Sequence, residues 1–262
     1  MDRPLTRSDY WAKLKTDEDG SVTDWHPLLA HSADVAAVVE ALLQRTILRD
    51  RLASLVGWDT LSNVHVARLS ALAALHDAGK VNQGFQNRAF GDSPEADHVT
   101  PMVGVYRASD PLEHLGPLGI GHLQEWAVDL DVLGHLLLAT FGHHGEPVRP
   151  GRHDPMLWAD TEVRDPNQGL STLSDHVQRW FPAAYEGDAP PFPNTPALQH
   201  AFNGLLTLAD WIGSDETLFP FADVTEAPME RARARAAEAV DTLFLDVRTP
   251  RAALGDERSF DQ

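Results

Sequence analysis

The 262-residue sequence predicts an all-α domain. Three observations carry that expectation. Long stretches repeat apolar residues at three- and four-residue steps, the period of a helix with one buried face. No stretch alternates cleanly between apolar and polar residues, and no Asn-Gly hairpin turn is present. Segments rich in Gly, Pro and Asp separate the periodic stretches and read as loops.

The first periodic stretch, 28–56, opens on Leu28-Leu29 and holds His31 on a face shared with Leu28, Val35 and Val38. The second, 61–78, runs into His76-Asp77, with Gly79 as its expected stop. Stretch 123–142 reads as one broken helix or two and ends at His143-His144. Stretch 195–213 begins with a Thr-Pro start signal and carries Asp210 near its end. Stretch 224–247 is a late helix with a mixed charged face. Segments 86–97, 109–121, 145–168 and 182–194 are expected to be loops. The last, which contains Pro190-Pro191, is the strongest of them.

Composition sets outer bounds. The chain has enough residues to bury a real core. No apolar run reaches the roughly 18–20 residues of a membrane span, and the polar N-terminus does not read as a targeting segment. With no cysteine, neither a disulfide nor a thiolate metal site is possible, which points to a cytoplasmic setting. A net charge of −18 argues against broad electrostatic capture of nucleic acid by this chain alone. Local cations or a partner would change that balance.

Four places carry candidate chemistry. His76-Asp77 offers an imidazole nitrogen and a carboxylate, a pair that suits Fe, Mn, Ni or Zn better than Mg. A carboxylate can also bridge two metals. Taken alone, the dipeptide is no stronger than a chance pair on a turn. Gly142-His143-His144-Gly145 is rarer, and its glycines are expected to let both rings face one cavity. His31 on an apolar face is either a hydrogen-bonded core histidine or a ligand. Asp210 in an apolar helix is costly to bury unless paired or bound to metal.

The order of these four places resembles the HD superfamily of metal-dependent phosphohydrolases. A narrower stretch, His76-Asp77-Ala78-Gly79-Lys80 followed by Phe85-Gln86, is similar to the HD nuclease domain of the CRISPR-associated type I helicase-nuclease. The vicinal histidines and Ala209-Asp210-Trp211-Ile212-Gly213-Ser214-Asp215 match the same family. The resemblance implies an HD-domain helical bundle that degrades single-stranded DNA in antiviral defence, with a helicase and a DNA-targeting surveillance complex as partners. It implies a first metal site of His31, His76, Asp77 and Asp210. A second site would use Asp77, His143, His144 and one more histidine; His98 is favoured, with His114 and His122 open. The expected cofactor is one or two divalent transition-metal ions, Mn, Ni, Co or Fe ahead of Mg or Zn.

Lys80 is open between a solvated lysine and an ammonium that stabilises the scissile phosphate. His135 is read as structural, and His26, His65, His153, His176 and His200 as surface or core residues. The domain is expected to span 1–243, with 244–262 a linker that could lead to a helicase. The rival enzyme is an HD phosphohydrolase of nucleotides or cyclic nucleotides. A degenerate domain without catalysis is the third reading; the presence of every expected ligand type speaks against it.

Overall fold

A computed structural model of the chain describes residues 3–106, 115–144, 151, 153–222 and 227–246. The helices follow the apolar periodicity closely, with breaks set by local chemistry. Stretch 28–56 divides into α1 (Leu28–Arg45) and α2 (Leu48–Leu55). Between them Thr46 turns extended, and its hydroxyl donates to the Leu42 carbonyl at 2.6 Å. Helix α3 (Asn63–Ala74) starts at a capping box in which Ser62 and His65 satisfy each other's backbone N–H.

After α3 come α4 (Gln83–Asn87), α5 (Val99–Tyr106) and α6 (Ile120–Leu123). Stretch 123–142 is indeed interrupted. Ala127 is extended, and α7 (Leu130–Phe141) restarts where the Asp129 carboxylate accepts from Val132 N–H at 2.8 Å. Helices α8 (Pro166–Trp180), α9 (Pro182–Glu186), α10 (Pro196–Ser214) and α11 (Pro228–Thr242) each place proline in the first turn, where its missing N–H costs nothing.

Helix α1 is the axis of the bundle. It is buried nearly all round, and α3, α10 and α11 pack against it. Its first turn carries His31 into the interior, while α3 and α10 bring their own ends to the same level.

The all-α class holds, and three details differ from expectation. A small antiparallel hairpin, β1 (Trp11–Thr16) and β2 (Val22–Pro27), lies beside the helices. Two register irregularities break its alternation, which is why the pattern is illegible in the sequence. Its turn is built by Asp17, whose carboxylate accepts from Asp19 and Ser21 N–H, and by Gly20 at φ 82°. Second, α3 ends at Ala74, not at Gly79, and a short 3-10 turn spans Ala78–Val81. Third, the expected loops are not wholly irregular: α9 lies inside 182–194, α8 begins inside 145–168, and a 3-10 turn (Gly116–Leu118) and the start of α6 lie inside 109–121.

The hairpin is fixed to the helices by Phe85 and Gln86. Phe85 stacks on Trp11 with ring centroids 4.3 Å apart. The Gln86 amide accepts from Trp11 N–H at 3.1 Å and donates to the Trp11 carbonyl at 3.0 Å, as a neighbouring strand would. It also donates to the Lys80 carbonyl at 2.7 Å, so one side chain ties β1 to the turn after His76-Asp77.

Candidate metal centre

The early end of α3 decides the geometry. Because His76 and Asp77 stand in an irregular turn and not on a continuing helix, their side chains converge instead of diverging by about 100°. Asp77 is 1% exposed and sits in the middle of the cluster. Its Oδ2 lies 3.2 Å from His31 Nε2, 3.4 Å from His76 Nε2 and 2.6 Å from Lys80 Nζ. Its Oδ1 faces the other way, 3.1 Å from His98 Nε2 and 3.6 Å from His143 Nε2. Asp210 Oδ1 completes the first side, 3.4 Å from His31 Nε2 and 3.8 Å from His76 Nε2. On the second side His98 Nε2 and His144 Nε2 are 3.1 Å apart.

All eight residues singled out in the sequence are thus brought together. Of the three candidates for the remaining histidine, His98 lies beside Asp77 and His144. His122 is exposed and apart from the cluster, and His114 lies outside the described residues, as does Gly145.

Backbone carbonyls set the imidazoles. His76 Nδ1 donates to the Ala73 carbonyl at 2.8 Å, and His143 Nδ1 donates to the Thr140 carbonyl at 3.2 Å. Both rings therefore turn an Nε2 lone pair inward, the tautomer a metal ligand requires. Asn82 links the two sides, donating to the Gly79 carbonyl at 2.7 Å and to the Asp97 carbonyl at 3.0 Å. Asn203 and Thr207 do the same for the double-histidine turn. Asn203 donates to the Ala139 and Gly142 carbonyls, and Thr207 donates to the His143 carbonyl at 2.6 Å. Residue type alone did not single out these three. For Asn203 and Thr207 a signal existed: they stand seven and three residues before Asp210, on one helix face.

Gly79 has a different role from the expected helix stop. A Cβ there would overlap the His98 carbonyl oxygen and lie 2.9 Å from its carbon. The missing side chain lets the His98 segment lie against the His76-Asp77 turn. Gly142, at φ −89°, needs no glycine-specific conformation.

Electrostatics suit a cationic occupant. Burial opposes ionisation of Asp77, but the Lys80 ammonium, then His76 and His98, hold its carboxyl well below the usual range. Asp210 is likewise burdened by burial and held far below its ordinary value by its hydrogen bond with His31 and by the charges of His76 and His31. Burial pushes His143 well below the ordinary imidazole value, and His144 also lies below it, mainly through burial. His76 goes the other way: burial lowers it, but Asp77 and then Asp210 prevail.

A divalent metal fits this donor set. Asp77 Oδ1 and Nε2 of His76 are buried without a hydrogen-bond partner, an expensive state unless something else satisfies them. Among the described residues, three groups have ligand atoms within 4.8 Å of one another: His31, His76 and Asp210; His76, Asp77 and His143; and His98, His143 and His144. Nitrogen-rich, thiolate-free sets of this kind suit borderline transition-metal ions.

Several known proteins are similar to this chain. It is 28% identical over 232 residues to the CRISPR-associated endonuclease/helicase Cas3 of Thermus thermophilus, matching 80% of this chain and 22% of that protein. It is 24% identical over 255 residues to the CRISPR-associated nuclease/helicase Cas3 of Streptococcus thermophilus, matching 86% of this chain and 26% of that protein. The chain therefore spans about a quarter of the length of these relatives. Among solved structures, the Thermus thermophilus Cas3 HD domain determined in the presence of Ni2+ is similar with a TM-score of 0.54 and 26% identity, over 83% of this chain and 85% of that one. The family described as "Cas3, HD domain" matches residues 11–219, from the first residue of β1 to beyond Asp210, and the chain belongs to that family.

Proposed function

We propose that the chain is a metal-dependent nuclease that hydrolyses phosphodiester bonds of single-stranded DNA in type I CRISPR interference. The observation that carries the reading is the two-way Asp77 carboxylate, with one oxygen turned to His31 and His76 and the other to His98 and His143. The names of the two relatives support a nuclease. The Ni2+ present when the related Thermus thermophilus domain was determined supports a transition-metal ion. His31, His76, Asp77 and Asp210 would hold one ion, and Asp77, His98, His143 and His144 a second. Mn, Ni, Co or Fe are favoured over Mg or Zn.

When bound, such ions lower the pKa of water and neutralise charge at the scissile phosphate. The chain's own residues prepare for that chemistry. The Ala73 and Thr140 carbonyls fix the inward lone pairs of His76 and His143. Lys80, buried beside Asp77 and bonded to the Ala12 carbonyl at 3.1 Å, keeps that carboxylate ionised. This supports a positioning role for Lys80 ahead of direct contact with phosphate. Exposed His144 marks the side from which substrate enters, over a floor of buried His31, His76 and Asp77.

The end of α11 at Thr242 supports a domain of 1–243. The expected linker 244–262 lies outside the described residues from 247 onward. Both relatives are named for a helicase as well as a nuclease, which supports a helicase partner; a surveillance complex that delivers DNA is proposed with it. The −18 charge supports the same dependence. No described helix is long and apolar enough to cross a membrane.

The test is incubation of the chain with labelled single-stranded DNA, and separately with a nucleotide and cyclic-nucleotide panel, in Mn2+ or chelator. DNA cleavage that chelator and Asp77→Ala both abolish is expected. Turnover of nucleotides with DNA left intact would replace the nuclease by a phosphohydrolase.

A further inference from the structure

The chain contains three lysines. Lys80 is paired with Asp77, and Lys15 is paired with Glu216 at 2.6 Å and lies over the Phe221 ring. Lys13 is different. It is only partly exposed, yet its ammonium has no hydrogen bond or ion pair among the described residues. A half-buried lysine without a partner is a costly arrangement that a bound anion would relieve.

Its place in the fold is next to the centre. Lys13 stands on β1 opposite His26, and the His26 ring lies edge-on to His31 with centroids 6.1 Å apart. The preceding residue, Ala12, supplies the carbonyl that holds Lys80. The strand backbone thus borders the floor of the centre, and Lys13 rises from it. Burial lowers its pKa to about 8, opposed by Asp210 first, with Lys80 adding repulsion and Asp77 and Asp34 adding attraction. Asp210 and Asp77 are both assigned here to metal ions. Cations bound there would occupy the carboxylates that act on Lys13 and add repulsion of their own, which a phosphate placed between ions and ammonium would offset.

We propose that Lys13 is a substrate-contact residue that binds a backbone phosphate of single-stranded DNA on the Asp210 side of the centre. The inference rests on the nuclease reading and adds a residue to it. It also answers a difficulty of that reading. A chain this acidic needs locally placed positive charge to hold a polyanion, and an ammonium beside the ions supplies it.

The experiment compares the wild-type chain with Lys13→Gln and Lys13→Arg. Bound Mn2+ per chain and melting temperature are measured first. Affinity for a fluorescent phosphorothioate oligonucleotide that resists hydrolysis is then followed across salt concentration, and steady-state kinetics are measured on ordinary single-stranded DNA. Lys13→Gln is expected to keep its Mn2+ and melting temperature and to bind the oligonucleotide about tenfold more weakly. Its slope of log affinity against log salt should shrink by about 0.7, the share of one single-strand phosphate contact. KM should rise with kcat little changed, and Lys13→Arg should restore most of the affinity. Unchanged affinity and slope in Lys13→Gln would overturn the inference. So would loss of Mn2+ from that variant, which would mean that Lys13 serves the carboxylates and not the substrate. A wild-type chain that binds Mn2+ but cleaves no DNA would instead sink the nuclease reading, and this inference with it.

Discussion

Asp77 Oδ2 and Lys80 Nζ lie 2.6 Å apart, with both side chains buried. The pair arises because the chain leaves α3 at Ala74 and folds back in a 3-10 turn, bringing residue 80 over residue 77. It gives the metal-free centre one fixed positive charge among its carboxylates.

Replacing Lys80 by Met should therefore strand a buried carboxylate. The metal-free variant is expected to lose about 3 kcal/mol of stability, the typical cost of removing one partner from a buried pair. Saturating Mn2+ should recover part of that loss, since a cation then supplies the missing charge. Urea unfolding with and without Mn2+ measures both. Equal stability of the metal-free variant and wild type would show that the pair does not hold the turn.

Gly79→Ala tests the close packing of the His98 segment. The new Cβ collides with the His98 backbone, which is not free to yield like the end of a flexible side chain. A stability loss of about 2 kcal/mol is expected from overpacking. Mn2+ titration calorimetry should also show weakened binding on the His98 side, with the His31 side retained. Unaltered binding of both ions would contradict this role for Gly79.

Gln86→Leu removes the amide that replaces a strand partner for Trp11. It leaves Trp11 N–H and carbonyl without that partner in a buried setting. About 2–3 kcal/mol of destabilisation is expected. Hydrogen exchange should show β1 opening before the helices.

His26, beside His31 but outside the candidate ligand set, provides a signed pH dependence. Burial lowers its pKa, and hydrogen bonding to Asp34 at 2.9 Å only partly offsets this. The folded state thus keeps His26 neutral where the unfolded chain, with an imidazole value of about 6.5, takes up a proton. Its contribution to stability is present above about pH 6.5 and lost as pH falls through the lowered folded value. His26→Asn should be less stable at pH 7.5 but should lose less stability than wild type between pH 7.5 and 5.5. Parallel pH profiles for the two would refute the assignment.

Much of the site was legible in the sequence because metal ligands are read by residue type. His31 and Asp210 are polar residues on otherwise apolar faces, and the vicinal histidines are rare. Most helices were legible because their apolar period is long. The hairpin was not, since its stability comes from Gln86 and Phe85, some 70 residues away, and its alternation is broken twice. Helix α8 was passed over although Asp165-Pro166 is a start signal and Leu170, Leu173 and Val177 share one face. Lys13 had no signal at all, because a lysine on a short strand looks the same whether it meets solvent or a site.

Anomalous diffraction from crystals of this chain grown with Mn2+ tests the two-sided Asp77 directly. Two peaks about 4 Å apart are expected, one beside each carboxylate oxygen, the first reached by His31, His76 and Asp210 and the second by His98, His143 and His144. Well-ordered Mn2+ bound only beyond reach of the Asp77 side chain would contradict the account.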